Sequence, residues 1–197
     1  MKKTFYLMRH GQTLFNVRKK IQGACDSPLT EAGIQQAKIA GEFFKNIPLD
    51  HAYSSTSERS SDTLELILQN RLAYTRLKGL KEMNFGLFEG ESEDLNPIDK
   101  STFFLNYGGE SREQVRKRMT TTCTEIMEKE DHQEVLAVSH AGACLHFLSV
   151  WQDPSDVLRK GVTNCCIFKY SYDTNQQSFE LAEVIRPNFT SSNEERK

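Results

Sequence analysis

Apolar and polar positions along this chain follow two periods. Phe5-Tyr6-Leu7-Met8 is a continuous apolar run that stops at Arg9-His10-Gly11-Gln12-Thr13, the pattern of a buried strand feeding a tight loop. After Thr30 and Glu31, which have the chemistry of a helix cap, Ile34, Ala37, Ala40, Phe44 and Ile47 recur at helical spacing. His51-Ala52-Tyr53 is a second short run, and Leu64, Ile67, Leu68 and Leu72 mark a helix from Arg59 to Leu72. Ser111-Arg112-Glu113-Gln114 has the form of a capping box, followed on one face by Val115, Met119, Cys123 and Ile126. Val135-Leu136-Ala137-Val138-Ser139 then repeats the opening construction, running into His140-Ala141-Gly142. A helix from about Ala143 to Trp151 and closing strands at Cys165 to Tyr170 and Phe179 to Ile185 complete an alternation that predicts an α/β sandwich.

Two strands that each end in a histidine and a glycine point to a site. Open parallel sheets bind ligands beyond the carboxyl ends of their strands, so adjacent strands would bring His10 and His140 together. Backbone N–H groups at the following helix start add donors for an anion. Arg9 sets a guanidinium beside a potential nucleophile. Taken alone, Arg9-His10 reads equally well as a surface dipeptide, and the repetition at His140 favours the site. Arg59, in the first turn of its helix, adds a second guanidinium. Glu82, in Leu80-Lys81-Glu82-Met83-Asn84-Phe85-Gly86, adds a carboxylate at the end of a short apolar element. On its own Glu82 reads better as a surface ion-pair partner.

In order along the chain, six segments resemble the histidine phosphatase superfamily, in the branch that holds phosphoglycerate mutases and their phosphatase relatives. They are Leu7-Met8-Arg9-His10-Gly11-Gln12-Thr13 with Asn16; Gln22-Gly23 with Asp26-Ser27-Pro28-Leu29-Thr30 and Gly33; Ser54-Ser55 with Arg59 and Thr63; Glu82 with Phe85-Gly86 and Glu89-Gly90; Gly108-Gly109-Glu110-Ser111; and Val138-Ser139-His140-Ala141-Gly142. The resemblance implies a three-layer α/β/α sandwich with a mostly parallel central sheet, phosphoglycerate mutase-like.

It also implies a division of labour. His10 would attack phosphorus through a neutral ring nitrogen, with a hydrogen bond at the other nitrogen fixing the tautomer. Arg9, Arg59 and His140 would surround the phosphoryl oxygens, since phosphoryl transfer asks mainly for positioning and charge stabilisation. Glu82 would protonate the departing oxygen and then activate water, serving both steps when a phosphate dianion beside it disfavours its charged form. Asn16, Gln22, Gly23, Thr13 and Ala141 are candidates for substrate contact. No metal and no cofactor is required by this chemistry.

With 197 residues, 38% of them hydrophobic and 26% charged, the composition fits one enzyme domain, expected over residues 1–186 with a polar tail at 187–197. A formal net charge of −2 argues against a general nucleic-acid binder, so attraction for an anionic substrate is expected to be local. No stretch is long enough to span a bilayer, and no amino-terminal apolar segment has signal length. Five cysteines without Cys-x-x-Cys spacing read as reduced thiols, so a cytoplasmic protein is expected, with Cys144 a small core residue. His51, His132 and His146 have no ligand-like spacing with one another and are read as structural.

Residues 83–110 carry Asn96-Pro97, Gly108-Gly109, an acidic cluster and the aromatics Phe103, Phe104 and Tyr107, which read as exposed. The segment fits either a lid over the phosphate pocket or a packed connection. Three functions are weighed. The leading one is a metal-independent phosphatase acting on small phosphorylated metabolites through phosphohistidine. Sugar phosphates, phosphoglycerates, nucleotides or a cofactor-precursor phosphate such as α-ribazole phosphate are its candidate substrates. The second is a phosphoglycerate mutase, disfavoured by the compact middle of the chain and by Arg-His-Gly-Gln-Thr where the family's mutases usually carry Arg-His-Gly-Glu-Ser. The third is a non-catalytic phospho-ligand module, disfavoured because nucleophile and acid are both present.

Overall fold

The structure is a computed structural model and describes residues 1–187. The polar tail expected at 187–197 lies outside the described residues from 188 onward. Strand β1 (Lys2–Arg9) is followed by the single-turn helix α1 (Leu14–Val17), then α2 (Glu31–Phe44), β2 (His51–Ser55), α3 (Glu58–Leu68) and β3 (Tyr74–Leu77). Next come α4 (Arg112–Met127), β4 (Glu134–Ser139), α5 (Ala141–Trp151), α6 (Ser155–Lys160), β5 (Ile167–Asp173) and β6 (Ser178–Ile185). The sheet order is β3-β2-β4-β1-β5-β6. β1 and β2 both pair β4 in parallel, β3 joins β2 in parallel, and β5 alone runs against the others.

Side-chain alternation along the central strands divides the core into two layers. Phe5 and Leu7 of β1 and Val135 and Ala137 of β4 face α4 and α5, where Val115, Met119, Cys123, Phe147 and Leu148 are buried. Tyr6, Met8, Leu136 and Val138 face the other way, onto Ala40 and Phe44 of α2 and Leu64 and Ile67 of α3. Strands buried on both faces read as continuous apolar runs, which is why β1 and β4 stood out in the sequence. Thr30 caps α2 by accepting from Gly33 N, and Ser111 and Gln114 form the expected capping box on α4.

Helix ends and edges depart from expectation. α3 stops at Leu68 because Gln69 turns left-handed at φ 49°, so Leu72 lies beyond the helix and packs against the second core layer from a loop. α2 likewise ends at Phe44, ahead of Ile47. β3 was not evident in the sequence: its four residues form a sheet edge with Thr75 and Arg76 exposed, so no apolar run marks it. Cys165 has φ 55° and precedes β5 rather than beginning it.

Candidate active site

The carboxyl ends of β1, β2 and β4 meet the amino ends of α3 and α5. His10 follows β1, and its backbone N–H donates to Ser139 O at 3.0 Å, tying the ends of β1 and β4 together. Its Nδ1 lies 2.7 Å from Gly11 O. A carbonyl only accepts, so Nδ1 carries the proton and Nε2 the lone pair. Arg59 Nε donates to that lone pair at 3.3 Å. Burial first, then the charges of Arg59 and Arg9, push the His10 pKa well below its ordinary value, against a smaller opposing effect of the Gly11 bond. His10 is therefore a neutral imidazole with one defined reactive nitrogen.

Arg59, the second residue of α3, is fully buried, and all its donors are engaged. Besides His10, its guanidinium donates to Cys25 O at 2.9 Å, Asp26 Oδ1 at 2.8 Å, Gly23 O at 3.0 Å and His140 Nδ1 at 2.9 Å. Because Nδ1 of His140 accepts, its Nε2 carries the proton, directed at Ser55 Oγ, 2.8 Å away. Burial, then Arg59 and His10, hold the His140 pKa well below the usual range, and the two imidazole centroids lie 5.2 Å apart. The loop that supplies Gly23 O and Cys25 O is itself pinned by Glu89. That carboxylate accepts from Gly23 N at 3.0 Å, Ala24 N at 2.7 Å, Cys25 N at 3.0 Å and Phe85 N at 2.9 Å. Burial pushes Glu89 up, but the Cys25 thiol and these backbone bonds outweigh it and hold the carboxyl below its ordinary value.

Glu82 follows a short 3-10 turn, Lys78–Leu80, rather than a strand. Its carboxylate sits on the amino end of α5, accepting from Gly142 N at 2.9 Å, Ala143 N at 2.8 Å and Met83 N at 3.0 Å. Gly142 permits this approach, since a Cβ there would lie 2.7 Å from Glu82 Oε1. Arg118 of α4 fixes the backbone beneath, donating to Gly79 O, Lys81 O and Glu82 O while holding Glu110 through two bonds of 2.7 and 2.8 Å.

A cavity of about 160 Å³ opens above His10. Arg9, His10, Asn16, Gln22, Glu82 and Ala141 line it, joined by Lys20 and Lys100, which the sequence reading did not single out. Arg9 donates to Val162 O at 2.6 Å, while its Nε is buried with no hydrogen-bond partner among the described residues. Burial lowers the Arg9 pKa, and Glu82 opposes that shift. Arg59 and His140 are fully buried and are not among the residues lining the cavity. Two candidate contacts stand back from the cavity. Thr13 is buried, caps α1 and donates to Gln22 Oε1 at 2.8 Å, and Gly23 presents its carbonyl to Arg59. Asp26, Ser55 and Glu89 were read only as members of the family-like segments, with Glu89 the fallback acid to Glu82, and Arg118 was not singled out. The Asp26 pairing with an arginine in the first turn of a following helix leaves no spacing signal.

Of the three aromatics read as exposed within 83–110, Tyr107 is exposed, Phe103 is half-buried and Phe104 is not exposed at all. Phe85, Phe88 and Phe103 pack on Phe104 with ring centroids 4.9 to 5.6 Å apart, and Tyr107 packs on Phe88 and Phe103 at 5.0 and 5.1 Å. His51 and His132, which have no ligand-like spacing in the sequence, come together with Asp131 where β2 and β4 begin, the sheet end opposite His10, with polar atoms of the three within 4.8 Å of one another. Their atoms are bonded to each other, and the imidazoles stack at 3.6 Å, which makes the ring lone pairs parallel rather than convergent. All five cysteines are free thiols, and Cys144 is buried in the core as expected. Among the described residues no helix is long and apolar enough to cross a membrane.

His10, Arg9 and Glu82 thus line one cavity, with the Arg59 guanidinium bonded to His10. The family model of the histidine phosphatase superfamily (branch 1) matches residues 5–184, and the chain belongs to that family. It is 36% identical over 145 residues to a Yersinia pestis protein named probable phosphoglycerate mutase GpmB, a match covering 71% of this chain and 62% of that protein's length. Among solved structures, Bacillus stearothermophilus YhfR superposes with TM-score 0.78 at 30% identity, covering 91% of this chain and 95% of that one. The α-ribazole phosphatase of Shigella flexneri superposes with TM-score 0.77 at 25% identity, covering 94% and 96%. The sheet and its flanking helices are phosphoglycerate mutase-like.

Proposed function

We propose that this protein is a metal-independent phosphatase that hydrolyses small phosphorylated metabolites through a phosphohistidine at His10. The observation that carries this reading is the fixed tautomer: Nδ1–H is held by Gly11 O, and Nε2 offers a lone pair toward the cationic donors of Arg59. In the first step Nε2 forms a bond to phosphorus, the bond from phosphorus to the ester oxygen breaks, and Glu82 delivers its proton to that oxygen. In the second, a water oxygen attacks phosphorus, Glu82 takes the water proton, and the N–P electron pair returns to His10. Arg59 Nε exchanges its bond to Nε2 for one to a phosphoryl oxygen, and the unpartnered Arg9 Nε supplies a further donor. Backbone N–H groups of Met83, Gly142 and Ala143 hold the Glu82 carboxyl in place for both steps.

Asn16, Gln22 and Ala141 contact substrate in this reading, while Thr13 and Gly23 support Gln22 and Arg59. The domain comprises residues 1–186. The lid is narrowed to residues 93–100, since Glu93, Asn96 and Lys100 line the cavity while the aromatic cluster anchors the rest. Five free thiols, four of them buried, fit a cytoplasmic setting. A phosphoglycerate mutase is the second reading, favoured by the similarity to the Yersinia protein. It differs in whether water or a second substrate hydroxyl receives the phosphoryl group. Incubation with p-nitrophenyl phosphate and with 3-phosphoglycerate, with and without a chelator and 2,3-bisphosphoglycerate, separates them. Inorganic phosphate release that survives the chelator supports the phosphatase, and isomerisation dependent on the bisphosphate supports the mutase.

A further inference from the structure

A second cavity, of about 520 Å³, adjoins the phosphate pocket, and Glu82, Phe85 and Lys100 line both. If Glu82 protonates the leaving oxygen, the alcohol portion of the substrate must pass it, and this cavity is the space that the passage opens into. The phosphate pocket of about 160 Å³ is filled by a phosphoryl group and a few further atoms. The adjoining volume lies within the range that takes larger organic ligands. A three-carbon phosphoacid would leave most of it to water.

Its walls have a definite chemistry. Met83, Leu145 and Leu158 give it apolar surface, and Arg112 and Arg116 of α4 face it together with His146 of α5. Arg116 donates to Ser149 Oγ at 3.0 Å, and its carboxylate contact is the well-exposed Glu113 at 3.5 Å. Arg112 enters no ion pair among the described residues. Burial, reinforced by Arg116, Arg112 and Arg118, drives the His146 pKa down to about 4, leaving an uncharged imidazole. Lys100 is lowered by burial and by Arg112, against the pull of Glu93 and Glu82. On a chain of net charge −2, this is a local excess of cations over an apolar floor. It complements a ligand that is apolar along its length and anionic at its end.

Resting on the phosphatase reading, we propose that this cavity is the leaving-group subsite. The substrate is then a phosphomonoester whose alcohol carries an apolar body and, at its far end, a second acidic group bound by Arg112 and Arg116. The test uses the full chain with two series of probes: ω-phosphoryloxy carboxylic acids of increasing length, and n-alkyl phosphates of matched length. p-Nitrophenyl phosphate reports the phosphoryl step. The acids are expected to exceed their alkyl partners in kcat/KM by about tenfold or more at an intermediate length, the size expected of a charge-assisted hydrogen bond. In the double variant Arg112→Gln/Arg116→Gln that ratio is expected to fall toward one, mainly through KM, and Arg116→Lys is expected to restore part of it. Equal kcat/KM at every length, a preference for the shortest acid, or equal losses on both series in the double variant would overturn the subsite while leaving the phosphatase reading standing. No turnover of p-nitrophenyl phosphate would overturn that reading and the subsite with it.

Discussion

Arg59 Nε donates to His10 Nε2 at 3.3 Å, so the proposed nucleophilic atom is also the acceptor of the most deeply buried guanidinium in the site. One bond thus reports both the tautomer of His10 and the placement of its cation.

Arg59→Lys keeps the charge and loses the fork. An ammonium has three donors on one atom and cannot reach His10, His140, Gly23 O and Asp26 together. Turnover of p-nitrophenyl phosphate is expected to fall by about two orders of magnitude or more. Each buried acceptor left unpaired should cost about 1–3 kcal/mol, read from urea unfolding. Nearly full activity would place the phosphate away from Arg59.

Glu82→Gln separates acid catalysis from positioning. Removing the acid is expected to slow single-turnover phosphorylation far more for alkyl phosphates than for p-nitrophenyl phosphate, whose leaving group needs little protonation. The amide must also turn an NH₂ toward a backbone N–H of Met83, Gly142 or Ala143, so a stability loss of about 1–2 kcal/mol should accompany it. Equal single-turnover losses for the two substrate types would leave Glu82 with positioning alone.

Glu89→Gln tests a residue outside the cavity. Four N–H groups converge on its carboxylate, and the loop that supplies three of them carries Gly23 O and Cys25 O to Arg59. The variant is expected to lower kcat about tenfold or more while leaving the leaving-group preference unchanged, the pattern of a misplaced cation rather than a lost acid. Unaltered kcat in a folded Glu89→Gln protein would detach this loop from catalysis.

Acid sensitivity follows from the histidines. His10, His140 and His146 have folded pKa values below the unfolded one, so the unfolded chain binds more protons below about pH 6.5 and stability falls as pH drops through that point. Each contributes a slope of at most about 1.4 kcal/mol per pH unit. Urea unfolding from about pH 7.5 to 5.5 should show this decline, made shallower by His146→Asn. A flat profile would contradict the buried, neutral assignment of these rings.

His10 and His140 were legible because each closes an apolar strand, and parallel pairing of β1 with β4 makes those ends neighbours. Arg59 was legible through its place at a helix start. Glu82 was not, since an isolated glutamate after a short apolar element looks like surface, and only the ordered family motifs singled it out. Arg118 and Glu89 act through hydrogen bonds to backbone distant in sequence, so Arg118 looked like one more cation on the polar side of α4. The β3 edge and the stop at Gln69 escaped notice for local reasons: an exposed four-residue strand has no apolar run, and a left-handed glutamine gives none of glycine's warning.

The central claim is a covalent bond between phosphorus and Nε2 of His10. The parent protein, mixed with p-nitrophenyl phosphate, quenched in alkali within one turnover and digested, should yield one phosphorylated peptide. By mass spectrometry the phosphoryl group should map to His10 and be lost on acid treatment, and folded His10→Ala should show neither the modification nor turnover. Phosphate release at the parent rate by folded His10→Ala, or a phosphoryl group on another residue, would contradict the account.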